Sequence, residues 1–444
     1  MIKFLKIGKL FGRFNYELKF SEDNIMIITG PNGYGKSTIL KMINGFCSNG
    51  LQDLFKYSFE KFVLSCDDCE IRITKNSDNF KINDNTFPYP EEERFRRRDF
   101  YHTIRRIGQD EYIDVNSEEI IRIPSPEIFF ETDETFQKDV FFSRLYFTLQ
   151  IKYRRKMEYL EKLKESFKSV QQIRNSIGEI RFVQEQRLIE IRKVPDEERS
   201  YRQPSELYIK VINENSEKLK STLAEVMKNH SSLSSELDST YIKRLLETNI
   251  SSAANIETIM EGLNGLREKQ KKLKEYALAE IKNVSDIVAR DKVKLEKYLV
   301  ELSIYLEDAN AKYKVFESII DKLDLYQQIV NHKLRFKSMK LSRTEGIQVI
   351  SDEDVLLSLS DLSSGEQEIL VLFYKLIFES DVSLLMIDEP EISLHIAWQK
   401  EIMDDLRNIV KFNKNIQVII ATHSPQIISN NWDLQIDLGE QYNG

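Results

Sequence analysis

Gly30-Pro-Asn-Gly-Tyr-Gly-Lys-Ser-Thr38 satisfies the pattern G-x-x-x-x-G-K-[ST] at Gly30, Gly35, Lys36 and Ser37. Before it, Asn24-Ile-Met-Ile-Ile-Thr29 is a short apolar run that reads as a buried strand. After it, Thr38-Ile-Leu-Lys-Met-Ile43 opens a helix. A strand, a glycine-rich turn and a helix N-terminus gather backbone N–H groups around a phosphate, and glycines let the backbone come close. In such a loop Lys36 contacts the β- and γ-phosphates, and the Ser37 hydroxyl coordinates Mg²⁺. The candidate nucleotide-binding residues here are Gly30, Asn32, Gly33, Gly35, Lys36, Ser37 and Thr38.

The distal end of the sequence carries matching chemistry. Leu384-Leu-Met-Ile387 is an apolar strand that ends in Asp388-Glu389-Pro390. An acidic residue at this strand end supports Mg²⁺, and Glu389 is then placed to polarise an attacking water as general base. Gln417-Val-Ile-Ile-Ala421 reads as a second buried strand, followed by Thr422-His423-Ser424-Pro425. A histidine at the end of that strand reaches the γ-phosphate or the water. Upstream, Asp361-Leu-Ser-Ser-Gly-Glu-Gln367 precedes the helical pattern Ile369–Phe378, setting hydroxyls and free N–H groups at a helix start.

Composition narrows the class. The 444 residues are 41% hydrophobic and 31% charged, ample for a large core divided into two or three domains. No apolar run reaches the ~18–20 residues a membrane helix needs. The first ten residues alternate like a strand and lack the apolar core of a signal peptide, so a cytoplasmic location is expected. A net charge of −8 gives the whole chain no basic bias toward nucleic acid. The densest basic cluster is Arg94-Phe-Arg-Arg-Arg98 with Arg105-Arg106, read as a solvated loop balancing Glu91-Glu-Glu93. Three cysteines suit a reducing compartment. Cys66-Asp-Asp-Cys69 has no second pair to complete a zinc set and reads as a hairpin turn.

In this order the motifs resemble those of the ABC-type ATPases, particularly the SMC and RecF-like branch. Leu362-Ser-Ser-Gly-Glu-Gln367 is similar to the signature L-S-G-G-x-x, with Ser364 in place of the first glycine. The resemblance implies an α/β fold: an ABC-type P-loop head built from N- and C-terminal lobes, with an inserted α-helical coiled-coil domain. It also implies hydrolysis of ATP with Mg²⁺. Asp388 and Glu389 match the Walker B acid and catalytic glutamate, and His423 matches the switch histidine. The site it implies is composite, the loop of one copy facing Ser363, Ser364 and Gly365 of another. Gln186, within Glu179-Ile-Arg-Phe-Val-Gln-Glu-Gln-Arg-Leu188, resembles the glutamine that completes the Mg²⁺ shell and senses the γ-phosphate, with Gln184 as its neighbour. One position departs: His395 stands where the D-loop aspartate is expected.

The domain reading is an ATPase lobe over 1–203, a helical or coiled-coil insertion over 204–330, and a second lobe over 331–444. An apolar stripe from Leu263 to Leu323 reads as one long coiled coil over 256–325, roughly 100 Å at ~1.5 Å per residue. Asn229-His-Ser-Ser-Leu-Ser-Ser235 and Asn249–Ala254 read as turns. The sequence stops at Gly444, about one strand after His423, so no fused TOPRIM nuclease is expected.

Ser-Ser-Gly-Glu-Gln, Pro-Glu-Ile-Ser-Leu-His395, Trp398-Gln399 and Ala421-Thr-His-Ser-Pro-Gln-Ile-Ile428 resemble stand-alone ATPases of bacterial anti-phage defence. PtuA of Septu and retron systems comes first, acting with an HNH nuclease, and the ATPase of PARIS systems, acting with a TOPRIM nuclease, second. The resemblance implies a sensor and scaffold that controls a separate nuclease effector. It also implies self-association of heads, higher oligomers through the helical part, and nucleic acid contact through the partner. The alternative is a RecF- or SMC-like repair ATPase acting on DNA directly.

Overall fold

The computed structural model describes residues 1–48, 50–89, 104–106, 111–114, 120–122, 142, 145–146, 157–184, 189–192, 207–247, 255–279, 296–379, 382–392, 394–413 and 416–443. The chain divides into two compact units. One joins Met1–Glu185 to Ser380–Ile392 and Gln399–Gly444; the other joins Gln186–Glu379 to Ser393–Trp398. Strands and helices are numbered separately along the chain.

In the first unit, strands β1 (Ile2–Leu10) and β2 (Phe14–Lys19) alternate buried and exposed residues, as a half-solvated antiparallel pair requires. With β4 (Lys61–Cys66), β5 (Glu70–Lys75), β6 (Asn79–Ile82) and β7 (Asn85–Pro88) they form a six-stranded sheet in the order β2-β1-β4-β5-β6-β7. The Cys66–Cys69 turn joins β4 to β5, with the Cys66 N–H donating to the Cys69 carbonyl at 2.8 Å. Burial, with Cys69 beside it, pushes the Cys66 thiol up to about 12. Strands β8 (Ile104–Arg106), β9 (Glu111–Asp114) and β10 (Ile120–Arg122) form a small separate ladder.

The second sheet of this unit builds the site. Strand β3 (Ile25–Thr29), next to the loop, is buried along its whole length. So are β17 (Leu384–Asp388) and β18 (Gln417–Ala421), which explains their unbroken apolar runs. With β11 (Ile180–Val183) and β19 (Gln435–Asp437) they pair in parallel, in the order β11-β17-β18-β3-β19. N-terminal and C-terminal sequence thus share one sheet. Helix α1 (Lys36–Ser48) packs its buried Ile39, Leu40, Met42, Ile43 and Phe46 into the same core as Met386, Ile419 and Ala421. Helix α2 (Leu51–Phe55) follows, and α3 (Met157–Ile177) is the next helix of this unit to be described.

The second unit holds the paired strands β12 (Ile189–Arg192) and β13 (Leu207–Lys210) and three long helices: α4 (Val211–Glu247), α5 (Ile256–Glu275) and α6 (Leu299–Lys333). Two expectations are corrected here. The turn expected at 229–235 is absent, because α4 runs through it without a break. Serine disfavours a helix only weakly, and here Ser231 donates back to the Met227 carbonyl at 2.9 Å while His230 packs on the Phe316 ring. The single coiled coil over 256–325 is also absent. Helix α5 ends at Glu275, with Tyr276 as its C-cap, and Ala277 takes φ 54°. The apolar stripe instead lies on two helices that face each other: Leu263 and Leu266 of α5 bury against Leu306 of α6, with Leu302 and Ala309 alongside. The expected turn at 249–254 lies outside the described residues, as does Arg94–Arg98.

Strands β14 (Lys337–Ser342), β15 (Gly346–Ser351) and β16 (Leu356–Leu357) form an antiparallel sheet in the same unit. Helix α7 (Ser364–Phe378) packs on α4 and α6, and the buried Tyr326 hydroxyl donates to the Leu370 carbonyl at 2.9 Å. Helix α8 (Ile396–Phe412) begins one residue after His395, whose Nδ1 accepts from the Ala397 N–H at 3.3 Å. Among the described residues no helix is long and apolar enough to cross a membrane.

Candidate functional site

Register in the parallel sheet decides where the chemistry gathers. Asp388 pairs with Ala421, and Ala421 pairs with Ile28. The loop after Thr29, the Asp388-Glu389 pair and the Thr422-His423 turn therefore leave the sheet at one edge, beyond the C-terminal ends of three neighbouring strands. In open α/β sheets that edge is where ligands bind.

Two side-chain bonds show how the loop is set. Lys36, only 5% exposed, donates from Nζ to the Gly30 carbonyl at 2.8 Å, so its ammonium curls over the loop. Ser37 Oγ donates to Asp388 Oδ1 at 2.9 Å, spanning the width of β18 to join the loop to the end of β17. The backbone could hold this shape with few residue types. Gly33 has φ +87° with open space where a Cβ would project. Gly35 has φ +92°, and a Cβ there would stand 2.9 Å from Leu10 Cδ2 and 3.3 Å from the Phe11 ring. The Tyr16 hydroxyl braces the turn from β2 by donating to the Tyr34 carbonyl at 2.8 Å. Burial raises the Tyr16 hydroxyl far above its ordinary value, so it remains a donor.

Glu389 sits at φ +44°, a left-handed conformation that a non-glycine residue rarely takes, with its N–H donating to the Ala421 carbonyl at 2.8 Å. Such strain collects where a side chain must be aimed. His423 Nδ1 lies 3.6 Å from Glu389 Oε1 and 3.1 Å from Glu391 Oε1, with the imidazole about half exposed. The structure thus brings Gly30, Asn32, Gly33, Gly35, Lys36, Ser37, Thr38, Asp388, Glu389 and His423 to one edge within the first unit. Gln186 lies outside the described residues.

Ser363, Ser364 and Gly365 belong to the second unit, at the start of α7. Ser363 is the N-cap of a full capping box: its Oγ accepts from the Glu366 N–H, and Glu366 Oε2 accepts from the Ser363 N–H at 2.9 Å and from its hydroxyl at 2.8 Å. Lys337 Nζ, from β14, bonds both Glu366 oxygens at 2.8 and 3.0 Å. Burial alone would raise the Glu366 carboxyl, but the bonds from Lys337 and Ser363 outweigh it and hold the group below the usual carboxylate range.

One residue of the site went unread in the sequence. Glu391, 7% exposed, places Oε1 against three donors: Thr422 Oγ1 at 2.7 Å, the His423 N–H at 2.9 Å and the Ser424 N–H at 3.2 Å. The only cue was a second acid two positions beyond Glu389.

The donor set fits Mg²⁺. Ser37 and Asp388 offer hard oxygens side by side, the ligands that cation takes. A profile of the AAA ATPase domain family matches residues 1–428. No curated protein matches. Among solved structures, the chain is similar to an Smc head domain with an extended coiled coil, bound to the C-terminal domain of ScpA, from Pyrococcus furiosus. That match is 13% identical, covers 97% of this chain and 91% of the other, and has a TM-score of 0.37. The SMC head domain from Thermotoga maritima is 10% identical over 96% of this chain and 90% of that one, with a TM-score of 0.33. A glycine-rich loop, a strand-end acid and a histidine turn lie at one edge of a single parallel sheet in an α/β fold, and with a family model matching residues 1–428 the chain belongs to the AAA ATPase domain family.

Proposed function

We propose that this protein binds MgATP at Gly30–Thr38 and hydrolyses it to ADP and phosphate, with Glu389 as general base. The observation that carries the reading is the Ser37–Asp388 bond, which sets two cation ligands at the mouth of the glycine loop. Ser37 and Asp388 would hold Mg²⁺, which would supply positive charge opposite the phosphates. Lys36 exchanges the Gly30 carbonyl for a phosphate oxygen. Glu389 accepts a proton from the attacking water, and His423, within 3.6 Å of it, orients toward the γ-phosphate. In this reading Gln186 would be a further residue holding Mg²⁺, and Ser363, Ser364 and Gly365 of a second copy would close the site.

The role that the resemblance to stand-alone defence ATPases implies is that of a cytoplasmic sensor and scaffold in an anti-phage defence complex, controlling a separate HNH-type nuclease. Two variants test the chemistry. Lys36→Ala is expected to abolish ATP binding, whereas Glu389→Gln binds ATP and loses most turnover, by about a hundredfold or more. Hydrolysis by Glu389→Gln at the parental rate overturns the general-base assignment. Co-purification with the product of the adjoining reading frame tests the defence role; a neighbour with no nuclease pattern and no stable complex overturns it.

A further inference from the structure

Glu391 is a buried carboxylate that the mechanism above does not use. Its Oε1 gathers the Thr422 hydroxyl and the backbone N–H groups of His423 and Ser424, holding three consecutive residues of the histidine turn on one atom. The same oxygen stands 3.1 Å from His423 Nδ1. The arrangement closes on itself: Ser424 Oγ donates to Gln399 Oε1 at 2.8 Å, and Gln399 Nε2 donates to the Glu391 carbonyl at 3.4 Å. Meanwhile Oε2 is buried without a hydrogen-bond partner among the described residues. A buried, half-satisfied carboxylate is costly as mere filling, whereas charge-assisted bonds to three donors hold a turn firmly.

Resting on the ATPase reading, we propose that Glu391 is the positioning residue for His423: its carboxylate clasps the Thr422–Ser424 turn and aims the imidazole at the reacting end of the nucleotide. The strain at Glu389 and the clasp at Glu391 lie two residues apart, so this short segment sets both the base and its histidine neighbour.

A double-mutant cycle on the full chain decides it. His423→Ala and Glu391→Ala are each expected to lower kcat by roughly a hundredfold, and the double variant by no more than His423→Ala alone. Affinity for a fluorescent ATP analogue should stay within about twofold of the parent, because the clasp does not touch the loop. Glu391→Gln keeps an acceptor oxygen and is expected to recover most of the turnover. Losses that multiply in the double variant, or a Gln variant as poor as the Ala variant, overturn the proposal. Should Glu391→Ala fail to fold, Thr422→Val removes one donor and leaves the carboxylate, and its effect should likewise vanish in a His423→Ala background; a multiplying effect overturns the proposal.

Should the parent protein hydrolyse no ATP, the functional reading fails on its own. The clasp is then read from the His423 ring resonance, one of five histidine signals and assigned by its loss in His423→Ala. That resonance should move in Glu391→Gln, and an unmoved signal rejects the clasp.

Discussion

Gly35 shows how tightly single residues are constrained at this site. Its φ of +92° costs a residue with a Cβ roughly 1–2 kcal/mol, and the added carbon would meet Leu10 Cδ2 at 2.9 Å. Gly35→Ala is therefore expected to lower unfolding free energy by at least about 1–2 kcal/mol, measured by denaturant titration, and to weaken nucleotide binding at the same time. At this scale the sequence was most readable where the backbone itself does the work, because glycine spacing followed by Lys36 and Ser37 admits few other structures. Glu391 was unreadable for the opposite reason. Its role comes from a turn more than thirty residues away in sequence that only the β17–β18 pairing brings beside it.

At the scale of elements, strands were legible because fully buried parallel strands are written as unbroken apolar runs, as in Ile25–Thr29 and Leu384–Ile387. The long helices were legible as helices but not in their ends or partners. An apolar stripe at spacings of three and four does not say whether it continues along one helix or passes to a second that packs against it. The α5–α6 contact tests the corrected reading. Leu306 shares a buried cluster with Leu263 and Leu266, with a side-chain carbon 2.9 Å from the point where Gly262 would carry a Cβ. Leu306→Ala is expected to cost about 2–5 kcal/mol, seen as earlier melting of helical circular dichroism. An exposed position on a lone coiled coil would cost far less. The start of α7 gives a pH test. The Glu366 carboxyl is held below its ordinary value by Lys337 and Ser363, so its stabilisation is complete above the unfolded value of about 4.3 and is lost as pH falls through the lower folded one. The melting temperature of Glu366→Gln should lie below that of the parent at pH 7, and the gap should close on acidification below about pH 4.3. A gap constant down to pH 3.5 rejects the pairing.

In the whole molecule, the candidate site residues fall into two groups. The glycine loop, Asp388, Glu389 and His423 belong to one compact unit, while Ser363, Ser364 and Gly365 cap a helix of the other. Ser363 caps the start of that helix, and Glu366 closes the capping box. The partner proposed for it is a second copy. If two heads close on ATP, then blocking hydrolysis holds them closed, and self-association becomes a function of nucleotide. Glu389→Gln with MgATP should shift toward twice the monomer mass in light scattering, and the parent with ADP should not. Ser363→Ala in that background tests the tip, and its cap loss of about 1 kcal/mol is monitored by melting so that misfolding is not mistaken for lost contact. Folded Ser363→Ala, Glu389→Gln protein should stay monomeric with MgATP. If it dimerises as readily as Glu389→Gln alone, the serine tip is not where the second copy meets the nucleotide.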